Sequence, residues 1–487
     1  MATRSQVQQT RNQVRSFVLI WTFITLAMGM ATFLAIYYAY QPNIELPSQI
    51  VAGNNSNNSG GGIVVIESQT PLPATETPLP QPTEVPQETE EEAVAVAQAA
   101  TEIPTEAPTN TPEPTPVPPD GDETFRVGTQ IQTVPDLNEE AMTGFYRAAQ
   151  QMNVQWVKVQ VRWEIIEPEP GVYNWEALDL AMFNARFFQI RPMLSIVTAP
   201  DWSRQTGREA GISLAQHGPP SDNADYVNFV QAIFDRYPGQ VWAIEVWNEQ
   251  NISREWTSMQ GLSASNYVSL LRDTYNMVQE VSPGTIVISG ALSPTGVDDG
   301  IGAIDDFRYM QQMIDNGMLD YADCVGAHHN GYNIGPLVRF DEVPNDPTAT
   351  FRGPFDNPHH SWSFRSTLEG YTSRIRDAGS DMKLCVTEFG WAVTEDLDGF
   401  PRGFEFANDN TLEEQAQFFV EALDWMSSGD DVWLAFVWNL NYGPGAGWDA
   451  TNDNVPYSLI GPGGTFRPAY DAIRDWNVNY REQLGES

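Results

Sequence analysis

The sequence has little cysteine: Cys324 and Cys385 are the two cysteines in a chain of 487 residues. So few cysteines exclude a disulfide-rich scaffold, and the lack of a C-x-x-C pair excludes a cysteine-based zinc site. Counting alternate residues along the predicted strands puts Cys324 on an interior face and Cys385 on the opposite face. We therefore expect two buried free thiols, with a disulfide between them as the alternative.

Basic residues are also scarce, since 25 lysines and arginines face 64 acidic residues, for a net charge of −39. A field of this sign repels nucleic acid, so no nucleic-acid partner is expected. It also disfavours polyanionic substrates and permits neutral ones. The shortage is greatest for lysine, because Lys158 and Lys383 are the only two.

One long stretch, residues 16–40, contains no charged residue. It exceeds the roughly 20 residues that a membrane-spanning helix needs. Arginines in residues 1–15 precede it, and cationic residues favour the cytoplasmic side of a span. We predict a basic cytoplasmic tail and a single-pass anchor in the cell membrane, with the rest of the chain outside the cytoplasm. A cleaved signal peptide is the alternative, but its apolar region would be about 7–15 residues long.

Residues 41–124 are rich in threonine, proline and glutamate, and include a run of glycine, asparagine and serine at 53–62. Proline removes backbone donors and like charges repel one another, so such a segment cannot build a core. We predict a disordered linker that holds a folded domain away from the membrane.

From residue 125 to 478, apolar runs typical of strands alternate with amphipathic stretches typical of helices. The predicted strands are 126–132, 156–163, 193–200, 241–249, 285–291, 323–329, 383–389 and 432–438. The predicted helices include 137–152, 221–237, 265–278, 366–375 and 411–423. Eight strands alternating with helices predict an α/β fold of the (β/α)8, or TIM-barrel, class.

A doubly wound open sheet is the alternative fold, and the second strand argues against it. Lys158, Gln160 and Arg162 occupy one face of that strand. Strands of an open sheet are covered by helices on both sides and are apolar on both faces. A polar face therefore fits the interior of a barrel near its active end.

Two glutamates end predicted strands, Glu249 the fourth and Glu388 the seventh. Catalytic groups of this fold lie at the carboxyl ends of the strands, so both side chains can reach one cleft. Two carboxylates can divide the work of breaking a glycosidic bond, one donating a proton and the other attacking carbon. The pair therefore predicts glycoside hydrolysis.

Six motifs in chain order resemble glycoside hydrolase clan A, the retaining (β/α)8 hydrolases that include families 5 and 39. They are RWEIIEPEPGVYNWEALD, APDW, WNEQN, DCVGAHHNGYN, TEFGW and VWN, and they lie within residues 125–478. The resemblance implies a retaining mechanism on a carbohydrate substrate, without a cofactor.

The resemblance also implies a role for individual residues. Glu249 would be the general acid/base and Glu388 the nucleophile. Asn248 would bind the 2-hydroxyl of the sugar, Trp438 would form the stacking floor, and His328 would bind substrate or orient a carboxylate.

The sequence departs from the family pattern at two places. A basic residue of the second strand should serve Glu388, and Lys158 and Arg162 are both candidates. Asn330 stands where the family tends to carry an aromatic residue after its histidine, and Tyr332 is the candidate substitute.

Other residues near the predicted cleft have simpler interpretations. Trp202 and Trp391 either stack on sugar or pack a loop. Glu245 is expected to be a buried ion-pair partner of Lys158. Further residues have structural interpretations: Trp163 packs outside the barrel, Arg204 and Arg254 are solvated, and the neighbours His328 and His329 point apart and form no metal site.

The sequence as a whole predicts a membrane-anchored, extracytoplasmic glycoside hydrolase that acts on a poly- or oligosaccharide. A tethered carbohydrate-binding pseudoenzyme is the alternative, since it would keep aromatic subsites without needing both acids. The sequence leaves the oligomeric state open.

Overall fold

The computed structural model describes residues 122–132, 139–205, 211, 216–343 and 359–486. The predicted cytoplasmic tail, membrane anchor and most of the predicted linker lie outside these residues. Among the helices of the described part, none combines the length and the apolar character needed to cross a bilayer.

Eight parallel strands form the sheet, in the order β5-β4-β3-β2-β1-β8-β7-β6. The bridges Ile288–Cys324 and Leu292–Ala327 join its two ends, β5 and β6, and close the barrel. The predicted (β/α)8 class is therefore confirmed. The strands are β1 (Arg126–Gln130), β2 (Trp156–Arg162), β3 (Arg191–Val197), β4 (Ala243–Val246), β5 (Ile286–Ser289), β6 (Val325–Gly331), β7 (Leu384–Trp391) and β8 (Val432–Val437).

A helix of ten or more residues follows each strand in the described part of the chain. These helices are α1 (Glu139–Gln151), α2 (Glu176–Phe187), α3 (Asn223–Arg236), α4 (Ala264–Val281), α5 (Asp306–Asp315), α6 (Phe364–Asp377), α7 (Leu412–Ser428) and α8 (Pro468–Gln483). Two helical turns of four residues, Trp163–Ile166 and Tyr442–Gly445, lie after β2 and β8. The packed domain thus continues past residue 478.

Local sequence accounts for the helix starts and for the faces that the helices bury. Thr411 and Glu414 form the capping box of α7, which satisfies two backbone donors at its first turn. In α3 the apolar stripe that includes Tyr226, Phe229 and Ile233 is fully buried. The indole of Trp163 stacks on Phe229 with ring centroids 5.3 Å apart, so this tryptophan packs between barrel and helices as expected.

Strand β4 ends three residues earlier than its apolar pattern predicts. Trp247 and Glu249 have positive φ angles of 74° and 47°, a left-handed conformation that L-residues adopt only at a cost. The backbone N–H of Glu249 donates to Ala291 O at 2.8 Å, which holds this turn against the segment after β5. The turn therefore sets the direction in which the Glu249 side chain leaves the strand.

The expectation of two free thiols is wrong, because Cys324 and Cys385 form a disulfide with Cα atoms 5.8 Å apart. A register shift between β6 and β7 explains the error. Ala327 pairs with Val386 but His328 pairs with Glu388, so Thr387 is an extra residue in β7. A β-bulge of this kind reverses the alternation of side chains, so both cysteines and Glu388 face the barrel interior.

The amino-terminal half of the barrel interior is apolar around this disulfide. The buried residues that surround it are Trp156, Met193, Ala243, Ile288, Leu434 and Phe436. The disulfide is thus part of a closed floor beneath the polar end of the barrel.

Replacing both cysteines by alanine should lower the free energy of unfolding by about 3–4 kcal/mol, because the bond closes a loop between residues 61 apart. Urea unfolding of the full-length chain measures this loss. A thiol reductant should destabilise the wild type and leave the double variant unchanged. Equal stability of the two proteins under oxidising conditions would contradict the prediction.

Candidate active site

Four strands bring five ionisable side chains together at the carboxyl end of the barrel: Lys158, Glu245, Glu249, His328 and Glu388. The Lys158 ammonium lies 2.8 Å from Glu388 Oε1 and 3.1 Å from Glu245 Oε2. All five are buried, with the two strand-end glutamates 5% and 8% exposed. The sequence-based pairing of Lys158 with Glu245 is thus confirmed, and Lys158 rather than Arg162 contacts Glu388.

Buried charges are tolerated here because each one has partners. Burial would lower the pKa of Lys158, but the charges of Glu245 and Glu388 outweigh it and raise that pKa. Burial would raise the pKa of Glu245, but Lys158 and His328 lower it further than burial raises it. Thr387 Oγ1 also donates to Glu245 Oε1 at 2.6 Å, which the bulge in β7 makes possible. Lys158 and Glu245 therefore stabilise each other's charged forms inside the barrel.

Glu249 is held by two cationic or donor groups. Its Oε1 lies 3.3 Å from His328 Nδ1, and its Oε2 accepts a hydrogen bond of 3.1 Å from Arg254. Burial would raise the pKa of Glu249, but the hydrogen bond from His328 and the charges of His328 and Arg254 lower it to about 2. Burial would likewise lower the pKa of His328, but the neighbouring carboxylates raise it.

The distances from His328 show how close the carboxylates of Glu249 and Glu388 are to each other. Its Nδ1 lies 3.3 Å from Glu249 Oε1 and 3.8 Å from Glu388 Oε2. The distance between these oxygens cannot exceed the two distances together, which is well below a nanometre. Glu249 and Glu388 therefore face the same small volume.

Asn248 and a group of aromatic residues border this volume. Asn248 is 7% exposed, and its Oδ1 accepts no hydrogen bond from the described residues. Trp438 packs against Tyr442 with ring centroids 4.9 Å apart. Burial and the charge of Glu388 raise the pKa of the Tyr442 hydroxyl, which accepts a hydrogen bond of 2.9 Å from Gln130.

Tyr332, which follows His328 of β6 along the chain, belongs to the same group of aromatic residues as Trp438 and Tyr442. Its ring packs edge-on against Phe406 with centroids 4.9 Å apart, in the apolar cluster that includes Trp438. Burial raises the pKa of Tyr332 to about 12. Its contact with sugar stays a prediction.

Two predicted substrate residues pack elsewhere. Trp391 is 1% exposed, and its indole donates to Ile334 O at 3.2 Å within the layer between barrel and helices. It lies three residues after Glu388, so strand alternation turns it away from the interior. Trp202 donates to Glu167 O at 2.9 Å and packs edge-on against Trp163, which makes it a loop-packing residue.

Arg162 and His329 also lie outside the cluster. Arg162 ends β2 at the exposed rim and pairs with Glu164, because Lys158 occupies the deeper position beside Glu388. His329 Nε2 lies 3.1 Å from Ser361 O, and burial lowers its pKa to about 3. The two adjacent histidines therefore serve different sides of β6, as their alternation predicts.

Sequence reasoning missed the contact of Arg254 with Glu249, since loop arginines read as solvated surface. Arg254 is 66% exposed at its side chain, yet it donates to Glu249 Oε2 and, at 3.1 Å, to Glu255 Oε1. Burial and the charge of Glu249 raise the pKa of Glu255 to about 7. Arg204 is buried and donates to Gln216 O and Thr257 O, so it braces the surrounding loops. The spacing of five residues from Glu249 was the available signal for Arg254.

Replacing Lys158 by methionine should lower the free energy of unfolding by about 3–5 kcal/mol, because two buried carboxylates lose their cation. Adding Glu245→Gln to this variant should restore part of the loss. Lys383→Met is the matched control, since Lys383 pairs with the 93% exposed Asp430 and should change stability by less than about 1 kcal/mol. Equal losses for the two lysines in urea unfolding would contradict the pairing.

The pKa of Glu249 makes its stabilising effect depend on pH. Its folded pKa of about 2 lies below the ordinary 4.5, so its contribution is present above pH 4.5 and is lost as pH falls towards 2. Glu249→Gln should therefore be less stable than the wild type at pH 6, with a smaller difference at pH 3. Urea unfolding at both values measures the change, with the exposed Glu176→Gln as control. A gap that widens at pH 3 would contradict the assignment.

Comparison with known proteins gives a likeness in structure alone. No protein-family model and no curated protein matches the chain. A family 39 glycoside hydrolase from the gut symbiont Bacteroides cellulosilyticus WH2 has a TM-score of 0.51 and 17% identity, over 73% of this chain and 64% of that one.

Two further solved structures are an endo-β-1,4-mannanase from Thermotoga petrophila and an exo-β-1,4-mannosidase from an Opitutaceae bacterium. Both have TM-scores of 0.49, with 13% and 14% identity, over 76% and 74% of this chain and 79% and 60% of their own chains. This chain matches less than two thirds of the length of the family 39 enzyme. The likeness between the two concerns the barrel. The chain therefore shares the (β/α)8 barrel fold of that enzyme.

Proposed function

We propose that the chain is a glycoside hydrolase that cleaves O-glycosidic bonds of a poly- or oligosaccharide with retention of configuration. The observation that carries the proposal is the approach of two buried carboxylates, Glu249 and Glu388, to one nitrogen of His328, at 3.3 and 3.8 Å. The similarity of the fold to solved glycoside hydrolases supports the same reaction class.

In the proposed reaction, Glu388 attacks the anomeric carbon while Glu249 donates a proton to the departing glycosidic oxygen. The carbon–oxygen bond breaks as the bond to Glu388 forms, which leaves a glycosyl-enzyme and a free alcohol. A water molecule then gives its proton to Glu249 and attacks the same carbon, which releases Glu388. Lys158, at 2.8 Å from Glu388 Oε1, stabilises the carboxylate that attacks and later departs.

The short separation of the two carboxylates favours retention over inversion. Retaining enzymes hold their carboxyl groups about 5–5.5 Å apart, whereas inverting enzymes leave about 6.5–9.5 Å for a water molecule. The two oxygens lie 3.3 and 3.8 Å from His328 Nδ1, so they are at most about 7 Å apart, a limit that admits the retaining separation and excludes most of the inverting range.

Glu249 must carry a proton before it can act as the acid, whereas it can act as the base in the ionised form that Arg254 favours. A pKa of about 2 keeps Glu249 ionised in the free chain, which is the form that accepts a proton from water. To donate a proton, Glu249 must have a higher pKa. A sugar that displaces the exposed Arg254 side chain would raise it, while the contact with His328, which lowers it more, stays in place. We therefore include movement of Arg254 on saccharide binding in the proposal.

The proposed location is outside the cytoplasm, on a membrane anchor formed by residues 16–40. The uncharged stretch and the arginines before it support the anchor. The disulfide between Cys324 and Cys385 supports the location, because such bonds persist in oxidising compartments and are rare in the cytosol.

Turnover of a panel of aryl β-glycosides and neutral polysaccharides by the full-length chain tests the proposal. Glu388→Ala should abolish hydrolysis and keep saccharide binding, because the stacking wall of Trp438 and Tyr442 is unchanged. Glu176→Ala, an exposed residue of α2, is the control and should leave turnover intact. Saccharide binding without turnover by the wild type would favour the pseudoenzyme instead.

The role of Glu249 has a test of its own that depends on the leaving group. Glu249→Gln should slow hydrolysis of poorly departing alkyl glycosides by about 10²–10⁴-fold, the usual contribution of general acid catalysis. Dinitrophenyl glycosides need no proton to depart, so their first step should be slowed far less. Equal slowing of both substrates would remove Glu249 from the acid role.

A further inference from the structure

A second group of polar side chains lies beside the barrel, between the start of α5 and the segment that precedes α6. It contains Asp305, Asp306, His359 and His360, so two of the five histidines of the chain meet here. His359 Nε2 lies 3.3 Å from Asp305 Oδ2, and His360 Nε2 lies 3.9 Å from the same oxygen. Asp306 Oδ1 lies 2.9 Å from His360 Nε2.

These separations are those of atoms around one tetrahedral metal ion. Zinc binds histidine nitrogen and carboxylate oxygen at about 2.0–2.2 Å, so two of its ligand atoms lie on the order of 3.3 Å apart. The three measured distances of 2.9, 3.3 and 3.9 Å bracket that value.

The surrounding contacts aim the ligand atoms at a common point. Asp305 caps α5 through Oδ1, which accepts the backbone N–H of Arg308, so Oδ2 faces the histidines. His359 Nδ1 accepts a hydrogen bond of 3.3 Å from the backbone N–H of Ser361 and lies 3.0 Å from the Ser361 hydroxyl. For Nε2 to bind a metal ion, Nδ1 must carry the ring proton and donate it to that hydroxyl instead. The His360 ring stacks on Phe307 with centroids 3.5 Å apart. Orientation of ligands by outer contacts is typical of metal sites.

We propose that Asp305, His359 and His360 bind a zinc ion, with Asp306 as the fourth ligand. Two carboxylates and two neutral imidazoles balance the charge of one divalent ion. Imidazole ligands favour zinc over magnesium or calcium, which prefer oxygen. This site is separate from the His328–His329 pair, and the sequence alone did not predict it.

The zinc ion would connect two loops on the active side of the barrel. Ala303, two residues before Asp305, bridges Ile252 in the loop that follows Glu249. Ser361, next to His360, accepts a contact from His329, the neighbour of His328. The ion would therefore brace the segments behind both Glu249 and His328, as a structural site outside the reaction.

Zinc binding to the full-length chain, stripped with a chelator, tests the proposal. Isothermal titration with zinc sulfate should give one site per chain, and the unfolding temperature should rise with zinc and not with magnesium. His359→Ala should weaken zinc binding by more than about tenfold. Asp305→Asn should do the same, although asparagine still caps α5.

His217→Ala is the matched control, because His217 lies on the rim of the cleft. The zinc affinity of this variant should equal that of the wild type. Circular dichroism of each variant separates loss of the site from loss of the fold. Failure of the wild type to bind zinc, or equal zinc affinity in the wild type, His359→Ala and Asp305→Asn, would overturn the proposal. Either failure would mean that the histidines hydrogen-bond to the aspartates without metal, and would leave the glycosidase proposal untouched.

Discussion

The burial of Lys158 between Glu245 and Glu388 is the interaction on which the active end of this barrel depends. A buried charge is stable only when partners replace the water that it has lost, and here one ammonium serves two carboxylates. Glu388 can be buried because Lys158 lies 2.8 Å from it, and Lys158 can be buried because Glu245 pairs with it from below. The shared cation thus links a structural carboxylate to a reactive one.

The same balance extends to the rim. Three carboxylates, Glu245, Glu249 and Glu388, are matched by Lys158, His328 and Arg254. Lys158 is fully buried among these acids, whereas Arg254 reaches Glu249 with a side chain that is 66% exposed. Lys158 is one of two lysines in the chain. Its purpose in the barrel is to pair with the two buried carboxylates of Glu245 and Glu388.

Much of the fold was predictable, because strand alternation and helical stripes are local patterns that survive folding. All eight strands and the strand-end positions of Glu249 and Glu388 follow from such patterns. The disulfide was not predictable, because one extra residue, Thr387, reverses the alternation, and this depends on the partner strand. The role of Arg254 was missed for a related reason, since a loop side chain bends back through contacts that its own sequence does not encode.

The disulfide also decides where this barrel is weakest. It joins β6 to β7 near their starts, a few residues before His328 and Glu388, so these two strands cannot slip past one another. Strands β5 and β6, by contrast, are joined without a covalent bond, by isolated bridges and by hydrogen bonds such as that from Gly326 N–H to Ser289 Oγ at 3.0 Å. If the barrel opens first between β5 and β6, His328 and Glu388 stay together on the β6–β7 side of the opening and are separated from Glu249. Such an opening would separate Glu249 from both Glu388 and His328, so Glu249 would lose the contact that His328 makes at 3.3 Å, while Lys158 and Glu388 would stay in one continuous sheet.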